Sequence, residues 1–431
     1  MLHINSPRIR SLLRQGHFGI EKESLRVTGS GRMSHSPHPF DADDPHIVRD
    51  FCENQTEINT EVTDSPAAAL QALARYDRII QEKLASLEEP ELLWPFSNPP
   101  AIANEEDIPV ARFTGAQSGK TAYRNYLSDR YGRYKMTFSG IHFNFSFSGE
   151  LLQEDFALSG QSDFRTYKDH LYLELAEKLV TYGWIVTAVT AASPVTDGSF
   201  VEKHTCGTDS FLGMASIRCG ELGYWNYFTP VLDYSSLEAY TASIRRYVDD
   251  RIIRFPSELY YPIRLKPPGA NELQRLADLG VSHIELRMID LNPLSDLWVE
   301  EKDLLFAHLL MVWLASIPRI PLNERAQILA AQNFKSAARY DLKTVRIILP
   351  DGRSMPAADA ALEVLGSLED FYREESDEIR EILRFQKDKF LNAENRYAWK
   401  VRRLYSDTFA AKGLELAKER QARILQEKEL L

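Results

Sequence analysis

The sequence predicts an α+β fold: a curved, mainly antiparallel sheet with a polar concave face and helices packed on its other side. Three observations carry this expectation. Four segments alternate polar and apolar residues with period two, as strands with one wet face do. Long stretches of helical periodicity separate them. No strand segment is apolar throughout, which disfavours a doubly wound parallel sheet covered on both faces.

The elements follow in order. HFGIEKESLRV, His17 to Val27, is the first alternating segment, and DFCENQTEINTEV, Asp50 to Val62, the second. A helix starts at Ser65-Pro66, a serine N-cap followed by proline at the first helical position, and runs to about Glu88. A second covers Thr121 to Tyr131. GIHFNFSF, Gly140 to Phe147, is the cleanest strand. A long helix covers Asp163 to Thr190, and another starts at Ser235 with Glu238 three residues on, a capping box. SHIELRMIDL, Ser282 to Leu291, is the last strand. The helix after Ser295 carries the apolar run Leu304 to Pro318, which His308 interrupts and which is too short to span a bilayer. Beyond Pro356 there is no proline, and only Gly366 and Gly413 interrupt a charged, helix-favouring tail. Residues 1–355 are therefore expected to form a catalytic body. Residues 356–431 are expected to form a helical extension packed on it, the alternative being a loose charged tail beyond about Gly413.

Composition narrows the function. The 431 residues are 44% apolar and 26% charged, enough for a large core and too apolar for a disordered chain. A net charge of -11 argues against a nucleic-acid partner. Cys52, Cys206 and Cys219 form no CxxC pair, and His204 is the one histidine close to any of them in sequence. A disulfide framework is disfavoured and a reducing, cytoplasmic location is expected. The N-terminal MLHINSPRIRSLLRQG has no apolar stretch to make a secretory signal, and no membrane association is expected.

The chemistry lies on the strands, where residues two apart share a face. Glu21 and Glu23 share one; Gln55, Glu57, Asn59 and Glu61 share another, led into by Asp50. His142, Asn144 and Ser146 share a third while Ile141, Phe143, Phe145 and Phe147 point away, and His283, Glu285 and Arg287 share a fourth. A merely solvated outer face would give the same pattern on any one strand; its repetition on four favours a common wall. So many carboxylates cannot gather unpaired, because like charges at close quarters repel or force protonation. Divalent cations with oxygen ligands resolve this, and magnesium is favoured, since it binds few carboxylates together with phosphates that a nucleotide such as ATP would bring. TGAQSGKT, Thr114 to Thr121, imitates a phosphate-binding loop but has three residues between Gly115 and Gly119 where the motif needs four. Gly119 is read as a helix lead-in.

At these residues the chain resembles the glutamate–cysteine ligase family in its bacterial form, which has a glutamine-synthetase-like catalytic fold. The resemblance rests on GIEKESLRV, DFCENQTEINT, YRNYLSDRYG, SGIHFNFSF, the ASP at Ala192 to Pro194, SIRCGELGY, ELYYPIRLKP and IELRMIDLNPL, in order from residue 19 to 294. It implies that Glu21, Glu23, Asp50, Glu57, His142 and Glu285 coordinate two or three magnesium ions, or manganese, with the phosphates of ATP. It implies Arg287 against the transferred phosphoryl group, and Arg218 as a second catalytic arginine that also lines the amino-acid pocket with Tyr224, Tyr123, Arg124 and Tyr260. The implied reaction joins the glutamate γ-carboxyl to the cysteine amine through a γ-glutamyl phosphate, the first step of glutathione biosynthesis; the alternative is a ligase of the same fold with a different amine acceptor. Ala191 stands where relatives often have glycine. Some relatives carry a fused second ligase domain. This chain is too short for one, so a separate glutathione synthetase is expected downstream, without a stable complex.

Overall fold

The computed structural model describes residues 1–202 and 205–429. His204 lies outside the described residues. A seven-stranded sheet organises the rest, in the order β2–β3–β1–β5–β7–β6, with β4 paired to the far end of β1. The strands are β1 (Gly16–Thr28), β2 (Ile47–Arg49), β3 (Gln55–Asn59), β4 (Glu91–Leu93), β5 (Gly140–Phe147), β6 (Ile263–Lys266) and β7 (His283–Asp290). Every pairing is antiparallel and the sheet is open, as the alternating segments predict.

One face of the sheet is core. Phe18, Ile20, Ile58, Ile141, Phe143, Phe145, Phe147, Ile263, Leu265, Ile284 and Leu286 are all buried in one cluster. The helices Pro66–Ala85, Phe164–Tyr182 and Glu301–Ser316 supply the opposing side chains. Glu301–Ser316 is apolar on nearly every side and accordingly buried on nearly every side. His308 within it packs 4.9 Å from both Phe18 and Phe145, and burial pushes its pKa down to about 3, so it is a neutral core residue.

Several boundaries differ from expectation for local physical reasons. The second segment is not one strand: β2 ends at Arg49, residues 50–54 turn, and β3 spans only Gln55–Asn59. Glu61 therefore leaves the shared face and pairs with Arg75 on the exterior. The helix expected from Asp163 to Thr190 breaks into Phe164–Tyr182 and Trp184–Thr190 at Gly183, a weak helix former against which the Phe334 ring packs. The helix expected from Ser235 starts one residue later: Ser236 caps it by accepting from the Ala239 N–H, which leaves Glu238 out of capping-box register. The imitation phosphate loop is a single 3-10 turn leading into the helix Ser118–Tyr131. The last helix, Phe409–Glu429, runs straight through Gly413 and packs on Pro66–Ala85 and β4. A Cβ at Gly413 would overlap the Trp94 ring.

Candidate active site

Strand register assembles the polar face. Glu21 on β1 lies opposite His142 on β5, and Glu23 opposite Glu57 on β3. Asn144 on β5 lies opposite Glu285 on β7, which in turn faces Arg264 on β6. Between Ile141 and Phe143 the β5–β7 register slips, so that Arg287 and Met288 together stand opposite His142. Arg287, two residues beyond Glu285, keeps the same face by alternation, with the bulge directly beside it.

At one end, His142 Nδ1 is 2.8 Å from Glu21 Oε2 and 3.6 Å from Glu285 Oε1. Asn144 donates to Glu21 at 3.1 Å. Arg287 reaches Glu285 at 3.0 Å, and Lys266 reaches the same oxygen at 3.3 Å. At the other end, Glu23 accepts from the Gly140 N–H at 3.0 Å and lies 3.8 Å from His142 Nε2. Asp50, in the turn after β2, is 3.6 Å from Arg124. Glu57 lies beside Glu23 at this same end, opposite it across the β1–β3 pair.

The two ends differ electrostatically. Burial and Glu285 push the Glu21 carboxyl up, but the His142 hydrogen bond and Lys266 outweigh them and hold it below its ordinary value. Burial likewise opposes ionisation of Glu285, yet Arg287, Lys266, His142 and Arg264 together hold it well below the carboxylate range. Glu23 is pushed up to about 8 by burial and Asp50, against the pull of Arg218 and Arg287. Glu57 is raised well above its ordinary value by burial, Asp50, Glu21 and Glu23. The Glu21–Glu285 end is thus balanced by protein cations, and the Glu23–Glu57 end is short of positive charge.

A second wall adjoins the sheet. Arg218 donates to the carbonyls of Arg287 at 3.0 Å and Ile289 at 3.4 Å, and its guanidinium lies flat on Gly140, where a Cβ would overlap it. Tyr224 and Tyr260 stack at 4.3 Å between centroids. Burial, Asp50 and Glu23 push the Tyr224 phenol up, which keeps it a neutral donor. Arg218, Tyr224, Tyr260 and Arg287 line a small cavity with Cys219 and Trp225. Tyr123 and Arg124 stand apart from it: Tyr123 accepts from Ser257 at 3.0 Å, and Arg124 holds the Asp50 turn through its carbonyl at 3.2 Å. Cys52 and Cys219 are buried and Cys206 exposed, all with free thiols.

The residues suit a divalent cation. Glu21, His142 and Glu285 each offer a ligand atom, and these atoms lie within 4.8 Å of one another. Octahedral magnesium, with bonds near 2.1 Å, needs opposite ligands about 4 Å apart, so a small closure suffices. Glu285 Oε2 is buried without a hydrogen-bond partner among the described residues, a lone pair available to an ion. The donor set of carboxylates and one imidazole fits magnesium or manganese.

The model of the family described as glutamate-cysteine ligase matches residues 1–337. The chain belongs to the glutamate–cysteine ligase family. The glutathione biosynthesis bifunctional protein GshAB of Listeria monocytogenes is 36% identical over 413 residues, 92% of this chain and 53% of that protein. The chain therefore spans about half the length of the curated relatives it matches. A bifunctional glutathione synthetase from Pasteurella multocida superposes with a TM-score of 0.83 at 27% identity, covering 98% of this chain and 54% of its own. A glutamate–cysteine ligase from Francisella tularensis, crystallised with AMP, gives 0.84 at 22% identity over 95% and 89%, and shows the same fold. Within this ligase fold the residues not foreseen are Lys266 and Arg264. Their signal was the i, i+2 alternation of PIRLKP, which is only four strand residues long. Among the described residues no helix is long and apolar enough to cross a membrane.

Proposed function

We propose that this chain is an ATP- and magnesium-dependent glutamate–cysteine ligase acting in the cytoplasm, with residues 1–355 as catalytic body and 356–431 as its helical extension. The observation that carries the reading is the single polar face on which Glu21, His142 and Glu285 form a cation cage beside Glu23, Glu57 and Asp50, with Arg287 against it.

A carboxylate does not acylate an amine at neutral pH, because oxide is a poor leaving group. Transfer of the ATP γ-phosphoryl group to the glutamate γ-carboxylate creates an acyl phosphate. The amine of cysteine then attacks the acyl carbon, phosphate leaves, and γ-glutamylcysteine results, the substrate of a glutathione synthetase activity. Glu21, Glu23, Asp50, Glu57, His142 and Glu285 would hold two or three magnesium ions, which would supply charge neutralisation at the phosphates. Arg287, fixed by Glu285, faces the phosphoryl group in flight. Arg218, with Tyr224 and Tyr260, holds the amino acids beside it; Tyr123, packed in the same cluster as those tyrosines, and Arg124, on the Asp50 turn, bind them from outside that cavity. Positioning both acceptors next to the nucleotide supplies much of the rate. The thiol is a specificity handle and not the nucleophile.

ADP release measured with glutamate and a panel of amines, with and without magnesium, tests this reading. Cysteine should be the best acceptor, amines without the thiol should react more poorly, and magnesium should be required. Glu21→Gln and Arg287→Ala should abolish turnover while circular dichroism stays unchanged. A different preferred amine would replace cysteine as the substrate; wild-type turnover in both variants would remove the site assignment.

A further inference from the structure

The cation cage already holds a cation. Lys266, the last residue of the edge strand β6, places its Nζ 3.3 Å from Glu285 Oε1 and 4.0 Å from Glu21 Oε1. These carboxylates are two of the three groups that would grip a divalent ion with His142. An ammonium and a divalent ion cannot share those oxygens, since they are like charges only a few ångströms apart. One of them must leave. The arginines facing Glu285 are tied down: Arg264 donates to the Leu259 carbonyl at 2.9 Å, and Arg287 sits on the β-bulge. Lys266 is free to swing. Among the described residues its side chain's one hydrogen bond is to Glu285, it retains 13% exposure, and its four-carbon stem is flexible.

Resting on the ligase reading above, we propose that Lys266 is the resident counter-ion of the Glu21–His142–Glu285 cage and turns onto the nucleotide's phosphates when a divalent ion displaces it. A metal ion arriving alone must expel the ammonium with nothing to receive it. Metal and nucleotide arriving together provide the receiver. Lys266 therefore couples the two binding events, and the coupling is reciprocal.

The test compares wild type, Lys266→Met and Lys266→Arg, each checked for unchanged circular dichroism. Mn2+ binding is followed by electron paramagnetic resonance, and binding of the non-hydrolysable analogue AMP-PNP by calorimetry with magnesium. Lys266→Met should bind Mn2+ several-fold more tightly in the absence of nucleotide. It should bind AMP-PNP about tenfold more weakly, the loss of one charge-assisted contact. The enhancement of Mn2+ affinity by AMP-PNP should shrink in Lys266→Met and return in Lys266→Arg. Unchanged or weaker Mn2+ binding in Lys266→Met, or unaltered AMP-PNP affinity, overturns the role of Lys266 alone. A wild-type chain that binds neither probe overturns the ligase site itself, and this role with it.

Discussion

Replacing Asp77 by alanine should destabilise the strand that carries Glu21 and Glu23. Lys22 lies between them on β1 and points to the opposite face, where its Nζ is 2.7 Å from Asp77 with side-chain exposures of 1% and 5%. At that separation and an effective dielectric of about 20, the Coulomb attraction is about 6 kcal/mol, and it offsets the desolvation of both ions. The ammonium also lies 4.1 Å above the Trp298 ring, whose Nε1 donates to Asp77 at 3.3 Å. Burial holds the Lys22 pKa down and Asp77 opposes that, so removing the carboxylate leaves a buried cation with no partner charge. Breaking such a pair costs about 3–5 kcal/mol, a large part of a total stability of about 5–15 kcal/mol. Urea unfolding of wild type, Asp77→Ala, Lys22→Met and the double variant Lys22→Met/Asp77→Ala should show each single change costing more than half of that range. The double variant should cost well under the sum. Divalent-ion affinity should weaken in Asp77→Ala, because β1 loses its anchor directly behind Glu21 and Glu23. Asp77→Ala within about 1 kcal/mol of wild type, or strict additivity in the cycle, would refute the argument.

Three further outcomes are expected. Gly140→Ala should lower kcat by at least about tenfold with little change in Tm, because a Cβ there overlaps the Arg218 guanidinium; ADP release and a thermal melt together separate this from unfolding. Glu23, with its pKa raised to about 8, is protonated in the metal-free protein at pH 7. Its raised folded value means that the stability it contributes is complete below the unfolded pKa near 4.5 and is lost as pH rises through 8. The metal-free Tm should therefore fall between those values and magnesium should flatten the decline; calorimetry at pH 7 in buffers of different ionisation heat should report proton release on metal binding, and buffer-independent heats would contradict it. Arg420→Ala should cost about 2–3 kcal/mol in urea unfolding. Arg420 lies 4.0 Å from the Trp298 ring and donates to the Pro293 and Ser295 carbonyls, tying the last helix to the loop after β7.

The face of each candidate ligand that lies on a strand was legible from alternation alone. Glu21 and Glu23, or His142 and Asn144, must share a side of any strand that contains them, because successive side chains of an extended backbone point to opposite faces. The serine–proline start of the first long helix was equally local, and Ser65 does accept from the Ala68 N–H. Where alternation ran on through a turn it misled: the polar pattern from Asp50 to Val62 continues past both ends of β3, and nothing in it marks the chain reversal between β2 and β3. The four residues of β6 were too few to show a period, which hid Lys266 and Arg264.

By itself, then, the sequence determined which side chains could share a polar face and that this face would need cations. Only the tertiary structure decided who meets whom. The pairing of Glu21 with His142 and of Glu23 with Glu57 depends on register, which distant core residues set. The slip between β5 and β7 beside Arg287 is likewise a property of two paired strands and of neither alone. Charge state followed in turn. Glu23 and Glu285 are the same residue type in similar strand contexts, yet one is raised and the other lowered, because Coulomb interactions depend on the neighbours in space and are indifferent to sequence distance.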